Sequence, residues 1–194
     1  MSANTVEHNR KRHDFSGVES VWLFGYGSLI YKVDFPFLEQ RPASIRGWER
    51  RFWQGSHDHR GTPESPGRVV TLIEKPHAVC KGMAFRVSPN VFEHLDVREK
   101  NGYLRLSTTL TFDDGSHAEG LVYIATEDNE AFLGHAPHAD IARQIASASG
   151  PSGPNAEYLL RLAESLRALG ADCPHTFAIE SHLKSASKND TLAH

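Results

Sequence analysis

Cysteine is scarce in this chain of 194 residues: only Cys80 and Cys173 are present, far apart. Two such cysteines exclude a disulfide framework and a paired zinc-ligand motif, and a reducing cytoplasm is the expected setting. Long apolar runs are missing too, since none approaches the ~20 residues that cross a bilayer. The first residues are polar and mixed in charge, without the apolar segment of a secretory signal. Positive charge is not in excess. With 21 Lys and Arg against 24 Asp and Glu, the net charge is −3. Neither nucleic acid nor an anionic membrane is therefore an expected partner. No internal repeat or low-complexity tract occurs. What remains is 39% apolar and 23% charged, the balance of one soluble globular domain large enough to bury a core.

Twelve histidines raise the question of a metal. No H-E-x-x-H spacing is present, and the nearest clusters, His57-Asp58-His59 and His135-Ala136-Pro137-His138, sit in loop-like sequence. Nucleophile signatures are also missing. Ser28 follows glycine but lacks the G-x-S-x-G elbow, and no Ser/His/Asp or Cys/His constellation has a local signature. The expectation is a site without metal.

The chain is organised around Val21-Trp22-Leu23-Phe24-Gly25-Tyr26-Gly27-Ser28-Leu29-Ile30. An apolar run of strand length breaks into Gly-Tyr-Gly-Ser. Two glycines one residue apart free the backbone for positive φ and for close approach of a ligand. Successive N–H groups at such a turn can form a nest for a carboxylate; a strand and tight turn with no ligand is the other reading. A dinucleotide fold fails, because G-x-G-x-x-G would need glycine at position 30, where Ile stands.

In order, residues 1–19 read as a mobile tail and residues 20–184 as the domain. Val33 to Phe37 is an irregular connection. Strands are expected over 44–56, 68–73 and 79–87, with a loop at 57–67 in which Arg60 or Arg68 could reach a substrate carboxylate. Ser88-Pro89 should open a helix, with Ser88 as N-cap and Val91, Phe92 and Leu95 on its packed face. It fades near Asp96 to Arg98, and Asn101-Gly102 is a turn. Tyr103 to Phe112 alternates, with Leu104, Leu106, Leu110 and Phe112 on one face and Arg105, Ser107, Thr109 and Thr111 on the other. Asp113 to Ser116 turns it into a second strand, 117–125. Helices follow at 138–148 and, capped by Asn155, through Tyr158, Leu159, Leu162 and Leu166 to Gly170. Residues 185–194 read as frayed. Strands first and helices last argue for an α+β fold with a mostly antiparallel, barrel-like sheet flanked by α-helices.

A general base near the anion nest is sought where a helix hands over to a strand. Glu99 is the candidate, and an exposed helix-end charge is its alternative reading. Here the residues carry a resemblance. Phe24-Gly25-Tyr26-Gly27-Ser28-Leu29-Ile30 resembles the signature of the γ-glutamylcyclotransferase superfamily. Its ChaC branch, the glutathione-specific enzymes, is matched by further stretches. These are Phe52 to Ser56 with Asp58-His59-Arg60-Gly61-Thr62-Pro63, Pro66 to Leu72, Arg98-Glu99-Lys100 with Gly102-Tyr103, and Glu157-Tyr158-Leu159-Leu160. The likeness spans 20 to about 183. Asn101 departs from it, standing where a small residue is expected. The resemblance implies cleavage of glutathione to 5-oxoproline and cysteinylglycine without metal or organic cofactor. It makes Glu99 the catalytic acid–base. It also implies that Leu23, Phe24, Gly25, Tyr26, Gly27 and Ser28 line the γ-glutamyl site, with Tyr158 associated. Three other readings stand beside it: a metal hydrolase built on the histidine clusters, a carboxylate-binding module, and an enzyme of other γ-glutamyl amines.

Overall fold

The computed structural model describes residues 4–192. Five strands close into a barrel: β1 (Val21–Gly25), β2 (Glu39–Ser56), β3 (Gly67–Val87), β4 (Tyr103–Phe112) and β5 (His117–Ala125). Their order around it is β1-β3-β2-β4-β5. Every pairing is antiparallel except the closing one, where β1 runs parallel to β5 through Trp22↔Gly120 and Leu23↔Leu121. The expected α+β barrel is found, and the β4–β5 hairpin spans the residues expected of it.

The two strands expected at 68–73 and 79–87 are one. Pairing with β2 jumps from Arg46↔Val79 to Trp48↔Glu74, with Gly47 at φ +85° and His77 at φ +68°. The loop-like Lys75-Pro76-His77 is an exposed bulge on a ladder that continues on either side.

Successive strand residues face opposite ways, and both faces are covered. Phe24, Ile45, Phe52, Leu72, Leu110 and Ile124 join one cluster with the helices α3 (His138–Ser147), α4 (Asn155–Ala168) and α5 (Pro174–Leu192). Leu23, Phe85, Leu121 and Tyr123 join another beneath α2 (Val91–Arg98), through Val91, Phe92 and Leu95.

Three local expectations change. Ser88 does not cap α2: its carbonyl accepts the Val91 N–H at 3.0 Å, and the regular helix starts only there. Asn155 opens α4 but serves β3 instead, accepting the Arg68 N–H at 2.8 Å and donating to the Arg68 carbonyl at 2.9 Å. Helix α5 continues to Leu192, through the residues expected to fray, as an exposed extension of a helix that Ile179 and Leu183 anchor in the core. Residues 193–194 lie outside the described residues.

The expected N-terminal tail also differs. Residues 1–3 lie outside the described residues, but Thr5 and Asn9 are buried and a short helix α1 (Val6–Arg10) rests on β4 and α2. The contact is polar, so apolar periodicity gives no sign of it. Arg105 explains the fit. Its Nη1 donates to both Asp96 oxygens at 2.9 and 3.0 Å, and its Nη2 to the Asn9 carbonyl at 2.8 Å. The guanidinium lies 5.1 and 4.9 Å from the Phe15 and Phe92 ring centres, and the Tyr123 hydroxyl donates to Asp96 at 2.6 Å. Replacing Arg105 by Met should lower unfolding stability by ~3–5 kcal/mol, because it leaves the buried Asp96 carboxylate unpaired. Urea unfolding measures it; an unchanged midpoint would contradict the pairing.

Candidate active site

Strand β1 ends at Gly25, which pairs with Met83 of β3. Ser28-Leu29-Ile30 then makes one 3-10 turn, with the Ile30 N–H on the Gly27 carbonyl at 3.0 Å. Neither Gly25 nor Gly27 is at positive φ. Space is what requires them. A Cβ on Gly27 would lie 2.7 Å from Val70 Cγ2 and 3.1 Å from the Tyr158 hydroxyl, and one on Gly25 would lie 3.0 Å from Leu29 Cβ. Buried Arg50 braces the turn, donating from Nε to the Tyr26 carbonyl at 2.6 Å and from Nη2 to the Lys81 carbonyl at 2.7 Å. The Tyr26 hydroxyl donates to the Tyr123 carbonyl at 2.5 Å.

Glu99 is the residue after α2, its N–H still bonded to the Leu95 carbonyl at 2.8 Å. The chain then turns through Gly102, at φ +91°, where a Cβ would stand 2.5 Å from Asn129 Oδ1. The Glu99 side chain is not a solvated helix-end charge: it is only 16% exposed. Burial pushes its carboxyl above the usual carboxylate range. Arg98 and His59 pull it back in part, and Asp58 and Asp34 add to the rise. Arg98 Nε is 3.6 Å from Glu99 Oε1, but most of its fork is engaged elsewhere. Nη1 meets Asp34 at 2.5 Å and the Lys32 carbonyl at 3.0 Å, and Nη2 reaches Ser28 Oγ at 3.1 Å. One arginine thus ties the acid's end of α2 to the glycine turn.

Two adjoining hollows share Ser28, Glu99, Tyr103 and Tyr158 as walls. One, about 330 Å³, is bounded by Phe24, Tyr26, Gly27 and Val70. The other, about 560 Å³, runs past Asp58, His59, Arg60 and Asn101. The turn after β1 and the acid after α2, 71 positions apart in the chain, therefore face the same space. Val70 links the two phenols. Its N–H donates to the Tyr158 hydroxyl at 3.1 Å, and its carbonyl accepts from the Tyr103 hydroxyl at 2.7 Å. Burial pushes both phenols well up, so both stay neutral. His59 donates from Nε2 to the Arg98 carbonyl at 2.9 Å, and its Nδ1 lies 3.3 Å from Ser152 Oγ.

Among the residues singled out beforehand, Phe24, Tyr26, Gly27, Ser28, Glu99 and Tyr158 line this space. The Leu23 side chain does not: it is fully buried beneath α2. Gly25 is held in the β1–β3 pairing. Arg60 lines the larger hollow, with its guanidinium 5.8 Å from the Tyr158 ring centre and 3.8 Å from Glu157. Arg68 is structural, bonded to Gln144, the Phe52 carbonyl and the Gly134 carbonyl. The two histidine clusters separate. His59 faces the site, while His135 and His138 line another cavity with His175, whose Nε2 accepts the Phe52 N–H at 2.9 Å. Among the described residues no three or more His, Cys, Asp or Glu side chains are arranged to hold a metal ion. Sequence reasoning gave no site role to Arg98 or Tyr103. Both stand in the Arg98-Glu99-Lys100 and Gly102-Tyr103 stretches that carry the resemblance, and that was the signal available.

A family model described as ChaC-like protein matches residues 21–186. The chain belongs to that family. Among its relatives, glutathione-specific gamma-glutamylcyclotransferase 1 of Danio rerio is 44% identical over 92% of this chain and 96% of its own length. Gamma-glutamylcyclotransferase 2-3 of Arabidopsis thaliana is 44% identical over 85% of this chain and 89% of its own. A crystal structure of the yeast gamma-glutamyl cyclotransferase specific to glutathione superposes with a TM-score of 0.80 at 32% identity, covering 86% of this chain and 96% of that one. The family fold is thus the barrel described above.

The crowding at Gly27 makes a prediction. Gly27→Ala should lose ~1–3 kcal/mol of stability through overpacking against Val70. Denaturant unfolding would read it, and a wild-type midpoint would show that the turn has room to spare.

Proposed function

We propose that this chain is a glutathione-specific γ-glutamylcyclotransferase, converting glutathione to 5-oxoproline and cysteinylglycine, with Glu99 as its acid–base group. One observation carries the reading: a carboxyl withdrawn from water shares a cavity with a strand-end turn that has no room for a side chain at Gly27. The names of the relatives agree with it.

The substrate brings its own nucleophile. Its α-amino nitrogen attacks its γ-carbonyl carbon, forming the lactam C–N bond, and the bond to the cysteinyl nitrogen breaks. Folding the γ-glutamyl arm into this geometry is worth ~7–11 kcal/mol when the reacting atoms are held in place. In the proposal, backbone N–H groups of Tyr26, Gly27 and Ser28 hold the α-carboxylate, which orients the adjacent amine. The flanking phenols of Tyr103 and Tyr158, kept neutral, shape the space without adding charge.

Protons are the remaining problem. A free α-amino group titrates near ~8, so it arrives as ammonium. Between ammonium and lactam it loses two protons, and the departing nitrogen gains two to leave as the cysteinylglycine ammonium. Glu99 accepts at one nitrogen and delivers to the other. Its raised pKa suits this, since a carboxyl closer to the amine in basicity is the better base. Positioned transfer of this kind contributes ~10²–10⁴-fold.

Two buried free thiols, Cys80 and Cys173, support a reducing, cytoplasmic setting. No helix among the described residues is long and apolar enough to cross a membrane.

The test is direct. Purified protein with glutathione and a chelator should yield 5-oxoproline, and no product would overturn the proposal. Glu99→Gln should lower kcat by at least ~10²-fold while glutathione still binds. It should also be the more stable protein at neutral pH. A carboxyl whose pKa rises on folding binds more protons folded than unfolded, so its stability contribution is lost as pH climbs through the raised value. Gln removes that cost. The acid limb of kcat/KM should accordingly fall above the ordinary carboxylate range, and a limb at ~4 would contradict a desolvated base.

A further inference from the structure

The turn that carries Glu99 is held from outside the segment the family model spans. Residues 4–10 precede position 21, where that match begins, yet they bond to both ends of the turn. The Thr5 N–H donates to the Lys100 carbonyl at 3.0 Å. The Thr5 hydroxyl gives its one proton to the Tyr103 carbonyl at 2.7 Å, with the Lys100 carbonyl 3.2 Å away beside it, and Asn9 Nδ2 donates to the Tyr103 carbonyl at 2.9 Å. Asn9 Oδ1 accepts the Arg105 N–H at 2.8 Å, and Asn4 bridges to Asn101. Thr5 and Asn9 are 2% and 0% exposed. At the register partner of Tyr103, Ala125, the N–H is given to Thr71 Oγ1 at 3.0 Å, and the Tyr103 carbonyl takes donors from the arm.

This is a short irregular stretch, Glu99 to Tyr103, with two of its five residues, Glu99 and Tyr103, walling both hollows and a third, Asn101, walling one. A turn centred on Gly102 at positive φ has little rigidity of its own. The Lys100 carbonyl also accepts the Gly102 N–H at 3.0 Å, but the donors to the Tyr103 carbonyl come from the arm, and a buried backbone acceptor is costly to leave unpaired.

We infer that Thr5 and Asn9 are positioning residues, which act through the Lys100 and Tyr103 carbonyls to hold Glu99 at its place over the glycine turn. This rests on the proposed role of Glu99. None of residues 4–10 lines either hollow itself, so loss of the arm's bonds should disturb the transition state more than substrate capture. Thr5→Val keeps the shape of the side chain and removes only the hydroxyl with its bond to the Tyr103 carbonyl. In the full-length chain, with rates normalised to the folded fraction, it should lower kcat on the order of tenfold and leave KM within about twofold, as expected of a small misplacement of the acid. Thr5→Ser, which keeps the hydroxyl, should restore wild-type kcat. Should Thr5→Val fail to fold, Thr5→Ala removes the same bond without adding a methyl group.

A merely structural arm would lower the urea midpoint and leave kcat of the folded enzyme unchanged, and that result overturns the inference. So would a Thr5→Ser variant as slow as Thr5→Val. The parent reading fails differently: wild-type protein then makes no 5-oxoproline, or Glu99→Gln makes it at the wild-type rate.

Discussion

A carboxyl group kept out of water is a costly thing for a small domain to hold, and here the surrounding architecture converges on one. Glu99 has Arg98 beside it, but that guanidinium is mostly shared among Ser28, Asp34 and the Lys32 carbonyl. What remains is a carboxyl raised by burial rather than lowered by pairing. An ordinary surface carboxylate next to an arginine would shift the other way. The same rise suits the group to the acid–base role proposed for it.

Barrel closure brings the acid to its partner. β1 lies between β3 and β5, antiparallel to one and parallel to the other, and its C-terminal end delivers the glycine turn beside Val70 of β3. Val70 is paired through N–H and carbonyl to the hydroxyls of Tyr158 and Tyr103, which brings α4 and the start of β4 to the same wall. Side chains of β3, β4 and α4 thus meet the turn after β1 around one hollow, with no room for a side chain at Gly27. The Asp96–Arg105 pair fixes the other side: it locks the last turn of α2, three residues before Glu99, to β4. The rigidity of the site is largely polar and buried, distributed over arginines 50, 98 and 105.

What the sequence disclosed follows from where the information lies. The hairpin of β4 and β5 was legible because alternation and a Gly-bearing turn are local. Glu99 stood as a candidate base from its place where a helix hands over to a strand, and the resemblance singled it out, since nothing local says that two segments 71 positions apart face one cavity. The glycines were read for positive φ; in the fold they serve close packing, a property of Val70 and Tyr158 rather than of the turn. Arg105 was counted on the outward face of its strand, and it is buried because α1 and α2 cover that face with Asn9, Asp96, Phe15 and Phe92. The N-terminal segment was read as a tail for the same reason: its anchors are Thr5 and Asn9, and polar anchors leave no periodic trace. Asn155, whose type suggests a helix cap, closes a two-bond contact with Arg68 of β3 that only the assembled barrel creates.

The central claim is spatial: one acid and one glycine turn act on the two ends of the same small group. A crystal structure with 5-oxoproline bound tests it most directly. The account predicts its carboxylate on the N–H groups of Tyr26 to Ser28 and its ring nitrogen within ~2.6–3.2 Å of the Glu99 carboxyl. A ring bound in this cavity with Glu99 turned away from its nitrogen, or bound outside the cavity altogether, would contradict it.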